Sequence, residues 1–177
     1  MKLSKTQISL GVGLLLLFLL RKPAQSAPNA PPDGAPADVD YRGNDNLPRG
    51  IRNNNPGNLK AFNIGWQGEV GSDGTFSIFS QYKYGIRAML KDLTNDYVNK
   101  GKHTLRELII EFAPNSENHT SNYISYVSNR TGINANVPFQ NNYGHWKKII
   151  QAMARFENGR EAVTTAQFDQ VWVEFNF

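Results

Sequence analysis

The eleven residues from Arg49 to Leu59, R-G-I-R-N-N-N-P-G-N-L, constrain this chain more than any other stretch. They carry no amphipathic period, which predicts neither an ordinary helix nor a half-buried strand. Gly50 and Gly57 permit positive φ, and Pro56 fixes its own φ and lacks a donor. Asn53, Asn54, Asn55 and Asn58 each offer a donor and an acceptor and tolerate left-handed backbone. Two readings follow: a tight surface loop, or a polar loop lining a groove for a ligand rich in hydroxyls and amides, such as an amino-sugar polymer.

Upstream, Ile8 to Leu20 is almost wholly apolar and is flanked by Lys2 and Lys5 before and Arg21 and Lys22 after. Thirteen helical residues rise about 20 Å, short of a ~30 Å hydrocarbon core, so the length alone suits a signal peptide. The small residues that could be cleaved, Ser26-Ala27-Pro28, follow Arg21, Lys22 and Pro23, a poor context for cleavage. The flanking cations can also snorkel. The expectation is therefore an uncleaved membrane anchor over residues 1–22, contacting lipid through residues 6–22, with the N-terminus on the cytoplasmic side. Residues 23–47 are rich in proline and alanine and poor in large apolar side chains, which predicts a spacer reaching about 75 Å at full stretch.

Residues 48–177 are long enough for one hydrophobic core. Aromatics, threonines and turn signals at Gly71 and Asp73-Gly74 predict a β-hairpin between Phe62 and Phe79, with Trp66 on one arm. Apolar residues at helical spacing predict a helix over 84–97, through Ile86, Met89, Leu90, Leu93 and Tyr97. Thr104-x-x-Glu107 predicts a capping box opening a second helix that stops before Pro114. A third helix is expected after a cap at Asn115 or Ser116, closing at Gly132. A fourth runs from Asn142 to Phe156, and Thr164-x-x-Gln167 opens a short last one. The fold class is thus mainly α with a small β-hairpin lobe, preceded by an N-terminal membrane helix.

Spacing gives Glu157 chemical interest. It lies four residues after Met153, seven after Ile150 and eleven after Trp146, so a helix that reaches it puts it on the buried stripe. Desolvation and the negative end of the helix dipole would then keep its carboxyl protonated. A neutral acid near pH 6 to 7 is what glycosidic cleavage needs as proton donor. The alternative is an exposed glutamate in a fraying last turn. Arg155 and Arg160 would oppose the shift if they paired with it.

The net charge of +4 suits an anionic polymer, lipid or nucleic acid, but no recognition helix or arginine-rich arm points to nucleic acid. With no cysteine, and with His103, His119 and His145 scattered, no metal site or cofactor is expected.

Four blocks in order, R-G-I-R-N-N-N-P-G-N-L at 49–59, W-Q-G with D-G-T-F-S-I-F at 66–79, G-I-R-A at 85–88 and A-P-N-S-E-N-H-T-S-N-Y-I at 113–124, resemble phage-encoded cell-wall hydrolases of the lysozyme-like superfamily. That group includes virion proteins and lytic transglycosylases. F-E-N-G at 156–159 is similar to the family's helix end, where His more often precedes the Glu; Phe156 departs from it. The resemblance implies an α+β lysozyme-like domain that cleaves the β-1,4 bond between N-acetylmuramic acid and N-acetylglucosamine in peptidoglycan. In lysozyme-like glucosaminidases the helix bearing the catalytic Glu comes first. Here it comes last, which suggests a circular permutation.

On this resemblance Glu157 is the proton donor. A transglycosylase needs only that carboxyl, whereas a hydrolase wants a second, for which Asp73 is the candidate and Glu69 and Glu117 are reserves. Asn54, Asn55, Asn58, Glu117 and Tyr123 are the expected substrate contacts. Tyr82 and Trp66 could stack on sugar rings, although Trp66 suits the core better. The expected partners are peptidoglycan strands, the lipid membrane and other virion proteins. The catalytic domain would face the periplasm from a virion or inner membrane. The rival reading is a non-catalytic, membrane-associated virion protein that binds cell wall.

Overall fold

A computed structural model describes residues 35–114 and 119–177. The predicted anchor over residues 1–22, the spacer up to residue 34, the expected cap residues Asn115 and Ser116, and Glu117 lie outside the described residues. Among the described residues, no helix is long and apolar enough to cross a membrane.

Among the described residues the architecture is mainly helical, with one two-stranded antiparallel sheet. A single helical turn, α1 (Arg49–Arg52), leads through the asparagine-rich loop to β1 (Glu69–Ser72) and β2 (Ser77–Phe79). Five helices follow: α2 (Tyr82–Asn99), α3 (Leu105–Phe112), α4 (Thr120–Thr131), α5 (Tyr143–Asn158) and α6 (Thr165–Glu174). Helix α5 is the axis of the molecule, packing against α1, α2, α4 and α6. Its stripe of Trp146, Ile149, Ile150 and Met153 is fully buried. Leu90 and Leu93 of α2, Leu105 and Leu108 of α3, Tyr123 and Val127 of α4, and Phe168 and Val171 of α6 complete the core.

The helix boundaries follow from capping chemistry. Reciprocal capping boxes open α3 at Thr104 and Glu107 and α6 at Thr164 and Gln167. The Asn142 side chain accepts from the His145 N–H to open α5. Gly132 and Gly159 close α4 and α5 in left-handed conformation. The N-cap of α4 is His119, not Asn115 or Ser116, and it makes no side-chain cap. The start is held instead by Thr120, whose Oγ1 donates to the Ala113 carbonyl at 2.7 Å. Thr104→Ala removes one acceptor for an otherwise orphaned N–H of α3. It is expected to cost about 1 kcal/mol in urea denaturation.

The hairpin is shorter than its composition suggests. Glu69 pairs with Phe79, Gly71 with Ile78 and Ser72 with Ser77, with a bulge between Glu69 and Gly71. Trp66 precedes β1 and Phe76 precedes β2, whereas Asp73-Gly74 forms the turn as expected.

Three further expectations need correction. The stretch from Arg49 does contain a helical turn, because the Arg52 and Asn53 N–H groups find the Pro48 and Arg49 carbonyls. The positive φ values fall on Asn54 and Asn58, not on Gly50 or Gly57. Those glycines serve close approach. A Cβ on Gly57 would lie 2.9 Å from Met89 Cγ, and one on Gly50 would lie 2.5 Å from Asn158 Oδ1 and 2.7 Å from Asn58 Oδ1. Likewise, the spacer does not extend to residue 47. Residues 37–47 are anchored on the domain by Ala37, Val39, Tyr41 and Leu47, whereas residues 42–46 are exposed. The Val39 and Ala37 carbonyls accept from the Tyr82 and Lys83 N–H groups at 2.8 and 2.7 Å. These are the first two N–H groups of α2, which have no partner within their own helix. The proline-free end of the expected spacer thus packs where a helix start offers it donors.

Candidate functional site

A cleft of about 450 Å³ opens between α2, the end of α3, the end of α5 and the segment after the asparagine-rich loop. One wall is apolar, made by Leu59, Phe62, Ile64, Trp66 and Phe76. A polar wall is made by Asp92, Asp96 and Lys100 from α2 and Glu111 from α3. Asn58 and Glu157 border the same space.

Helix α5 runs to Asn158, so Glu157 lies on its last turn, half-buried, with its carboxyl at the cleft. Asn58 Nδ2 donates to Glu157 Oε2 at 3.1 Å and to the Glu157 carbonyl at 3.3 Å. The adjacent Asn158 Nδ2 donates to the Pro56 and Ala154 carbonyls, both at 2.8 Å. The last turn of α5 is therefore stitched to the loop by two neighbouring amides. Burial pushes the Glu157 carboxyl above the ordinary range, and hydrogen bonds from Asn58 and the Tyr123 phenol partly offset it by stabilising the ionised form. Arg155 pairs with Glu161 at 2.6 Å. Phe156, which stands where the resembling family more often has His, stacks on Tyr123 with ring centroids 3.9 Å apart.

Of the expected substrate contacts, Asn58 borders the cleft, and the loop's other asparagines turn inward. Asn54 is fully buried; its Nδ2 donates to Asp40 Oδ1 at 2.8 Å and the Phe79 carbonyl at 2.9 Å, and its Oδ1 accepts from the Tyr41 N–H. Asn55 is equally buried and holds the Leu59 and Ser77 carbonyls, both at 2.9 Å. These amides bind the hairpin and the N-terminal segment to α1, and neither can reach a sugar. Tyr82 is fully buried with its hydroxyl donating to the Ala162 carbonyl at 2.7 Å, so it cannot stack on a ring. Tyr123 is also buried, and its hydroxyl meets the Glu157 carboxyl instead of a ligand. Trp66 is half-buried and lines the cleft while packing on the core.

Asp73 does not border the cleft. Arg49 grips its carboxylate through Nε at 2.6 Å and Nη2 at 2.7 Å, and Asn53 Nδ2 donates at 2.6 Å. The Thr75 and Phe76 N–H groups add two more bonds. The Arg49 guanidinium, first among these, holds the carboxyl well below the usual range. Asp73 thus clasps the hairpin turn to α1, with no lone pair left to activate water. Glu69 is similarly occupied, accepting from Ser77 Oγ at 2.7 Å and the Trp66 N–H at 3.1 Å.

The polar wall was not singled out by sequence reasoning. Asp92 carries a carboxyl pushed up to about 6, by burial first and by the charges of Asp96 and Glu111, against the opposing charge of Lys100. Lys100 Nζ lies 2.9 Å from Asp96 and 2.7 Å from Glu111. A signal existed, because Asp92 and Asp96 stand three residues after Met89 and Leu93, at the edge of the apolar stripe of α2.

No family model matches the chain. Over 121 residues it is 39% identical to "Protein P5" of Pseudoalteromonas phage PM2, a match covering 66% of this chain and 74% of that protein.

Proposed function

We propose that this chain, which belongs to the family of Protein P5 of Pseudoalteromonas phage PM2, cleaves the β-1,4 glycosidic bond between N-acetylmuramic acid and N-acetylglucosamine in peptidoglycan. The observation that carries this reading is the Glu157 carboxyl. It is held at a cleft by Asn58 at 3.1 Å and kept toward its protonated form by burial. A positioned neutral acid beside an apolar wall suits a sugar ring that stacks on one face while its glycosidic oxygen takes a proton. The C1–O4 bond breaks as Glu157 delivers its proton to O4, while C1 takes a new bond from water or from the sugar's own 6-hydroxyl, and the carboxylate left behind is stabilised by Asn58 Nδ2 and the Tyr123 phenol.

The reading includes a lysozyme-like arrangement in which the acid-bearing helix comes last in the chain. It also includes attachment to a membrane through residues 6–22 and service in a virion, with the domain meeting the cell wall from the periplasmic side. Incubating the full chain with purified peptidoglycan sacculi tests the activity. Soluble muropeptides identified by mass are expected. Binding to sacculi without release would make the chain a wall-binding structural component instead.

A further inference from the structure

The cleft holds a second carboxyl that the proposed cleavage does not yet use. Met89 touches Gly57, the residue before Asn58, and Asp92 lies one turn further along the same side of α2. That step is about 4.5 Å along the helix axis. Asn58 in turn holds Glu157. Asp92 from α2 and Glu157 from α5 therefore both line one cleft, together with Gly57 and Asn58. The other acids on the polar wall are committed: Asp96 and Glu111 share the Lys100 ammonium. Asp92 is the acid on that wall left for a ligand, half-buried and facing the cleft.

We propose that Asp92 is the second catalytic carboxyl of this cleft, taking the proton from the water that attacks the anomeric carbon. The proposal rests on the glycosidic cleavage argued above and makes the reaction a hydrolysis. Water oxygen bonds to C1 as the C1–O4 bond breaks. One water proton passes to the Asp92 carboxylate, and the Glu157 proton passes to the leaving O4. An inverting hydrolysis uses such a pair, one carboxyl as acid and the other as base. The charges acting on Asp92 are Asp96 and Lys100 on its own helix and Glu111 from α3, and Lys60, Asn58 and Glu157 line the same cleft. Burial and the charges of Asp96 and Glu111 push the Asp92 carboxyl up to about 6, against the opposing charge of Lys100.

The test is sacculus digestion by the full chain in ¹⁸O-water, with product ends read by mass. The parent is expected to give reducing ends carrying one ¹⁸O. Asp92→Asn is expected to lose about 10²- to 10⁴-fold in kcat, together with the acid limb near pH 6 in the kcat/KM profile. It should melt no lower than the parent, because the amide relieves repulsion from Asp96 and Glu111. In Asp92→Ala, azide should restore cleavage and yield a glycosyl azide, since that nucleophile brings no proton to remove. Azide should not rescue Glu157→Gln. Parent products ending wholly in 1,6-anhydro sugar would overturn the role of Asp92 and leave glycosidic cleavage standing. So would an Asp92→Asn variant within threefold of the parent. A parent that releases nothing overturns both.

Discussion

Glu157→Gln is expected to slow muropeptide release from sacculi by about 10³-fold, within the range for losing a general acid, while the fold is retained. The amide has the shape of the acid and keeps an oxygen to accept from Asn58 Nδ2, which now donates to Oε2 at 3.1 Å. What it lacks is a proton that can leave. The stability effect has the opposite sign. The folded carboxyl has a raised pKa, so its contribution to stability is present below the unfolded value and is lost as pH rises through the folded value. Above that range the parent carries a poorly solvated charge that Gln does not. The variant should therefore be inactive, and at least as heat-stable as the parent at pH values above the range in which the Glu157 carboxyl ionises. Release assays and melting curves on the same preparations check both halves. A Gln variant with parental turnover would remove Glu157 from the chemistry.

Gly85→Ala is expected to be among the most damaging single substitutions, costing about 3 kcal/mol or more. An added Cβ would lie 1.8 Å from the Asn54 carbonyl oxygen and 2.8 Å from its carbon. Both are backbone atoms, and Asn54 is pinned by its own amide to Asp40 and Phe79. No rotamer change relieves that contact, so α2 must move away from the loop. Gly144 makes a useful contrast. Its Cβ would meet only Asn142 Oδ1, at 3.6 Å, an ordinary contact near the start of α5. Gly144→Ala should be neutral or stabilising by about 0.5 kcal/mol, through a less flexible unfolded chain. Urea denaturation midpoints for the two variants distinguish a site-specific clash from a general dislike of alanine. Activity in any Gly85→Ala protein that folds should fall as well, because Asp92 rides on the same helix.

The helices were legible because one rule governs them. Buried positions recur every three or four residues, and Thr104, Asn142, Thr164, Gly132 and Gly159 mark their ends. The hairpin turn at Asp73-Gly74 was legible for a similar local reason. The asparagine loop stood out as the organising stretch, but which way each amide points is a tertiary matter. Asn54 and Asn55 serve carbonyls from segments more than twenty residues away, Phe79 and Ser77, and no local pattern encodes those partners. Asp73 illustrates the same blindness. An acid in a turn looks free until Arg49 and Asn53 are brought to it. Asp92 erred in the opposite direction. On a helical wheel it reads as the wet edge of α2, and only the end of α3 and the segment carrying Phe62 and Trp66 turn that edge into a cleft wall.

The belt formed by residues 37–47 has a mechanical consequence. It is fastened at the start of α2 by the Tyr82 and Lys83 amides and at α6 by Gln170, which accepts from the Ala37 N–H at 2.8 Å. Lys83 bridges Asp38 and Glu174, tying the same three segments together. Asp92 lies about 14 Å further along α2 from that fastening. A pull on the chain at residue 35 is thus borne by the belt, α2 and α6, much as a strain-relief clamp protects a plug from tension on its cable. Asp92, further along α2, stands clear of that load path.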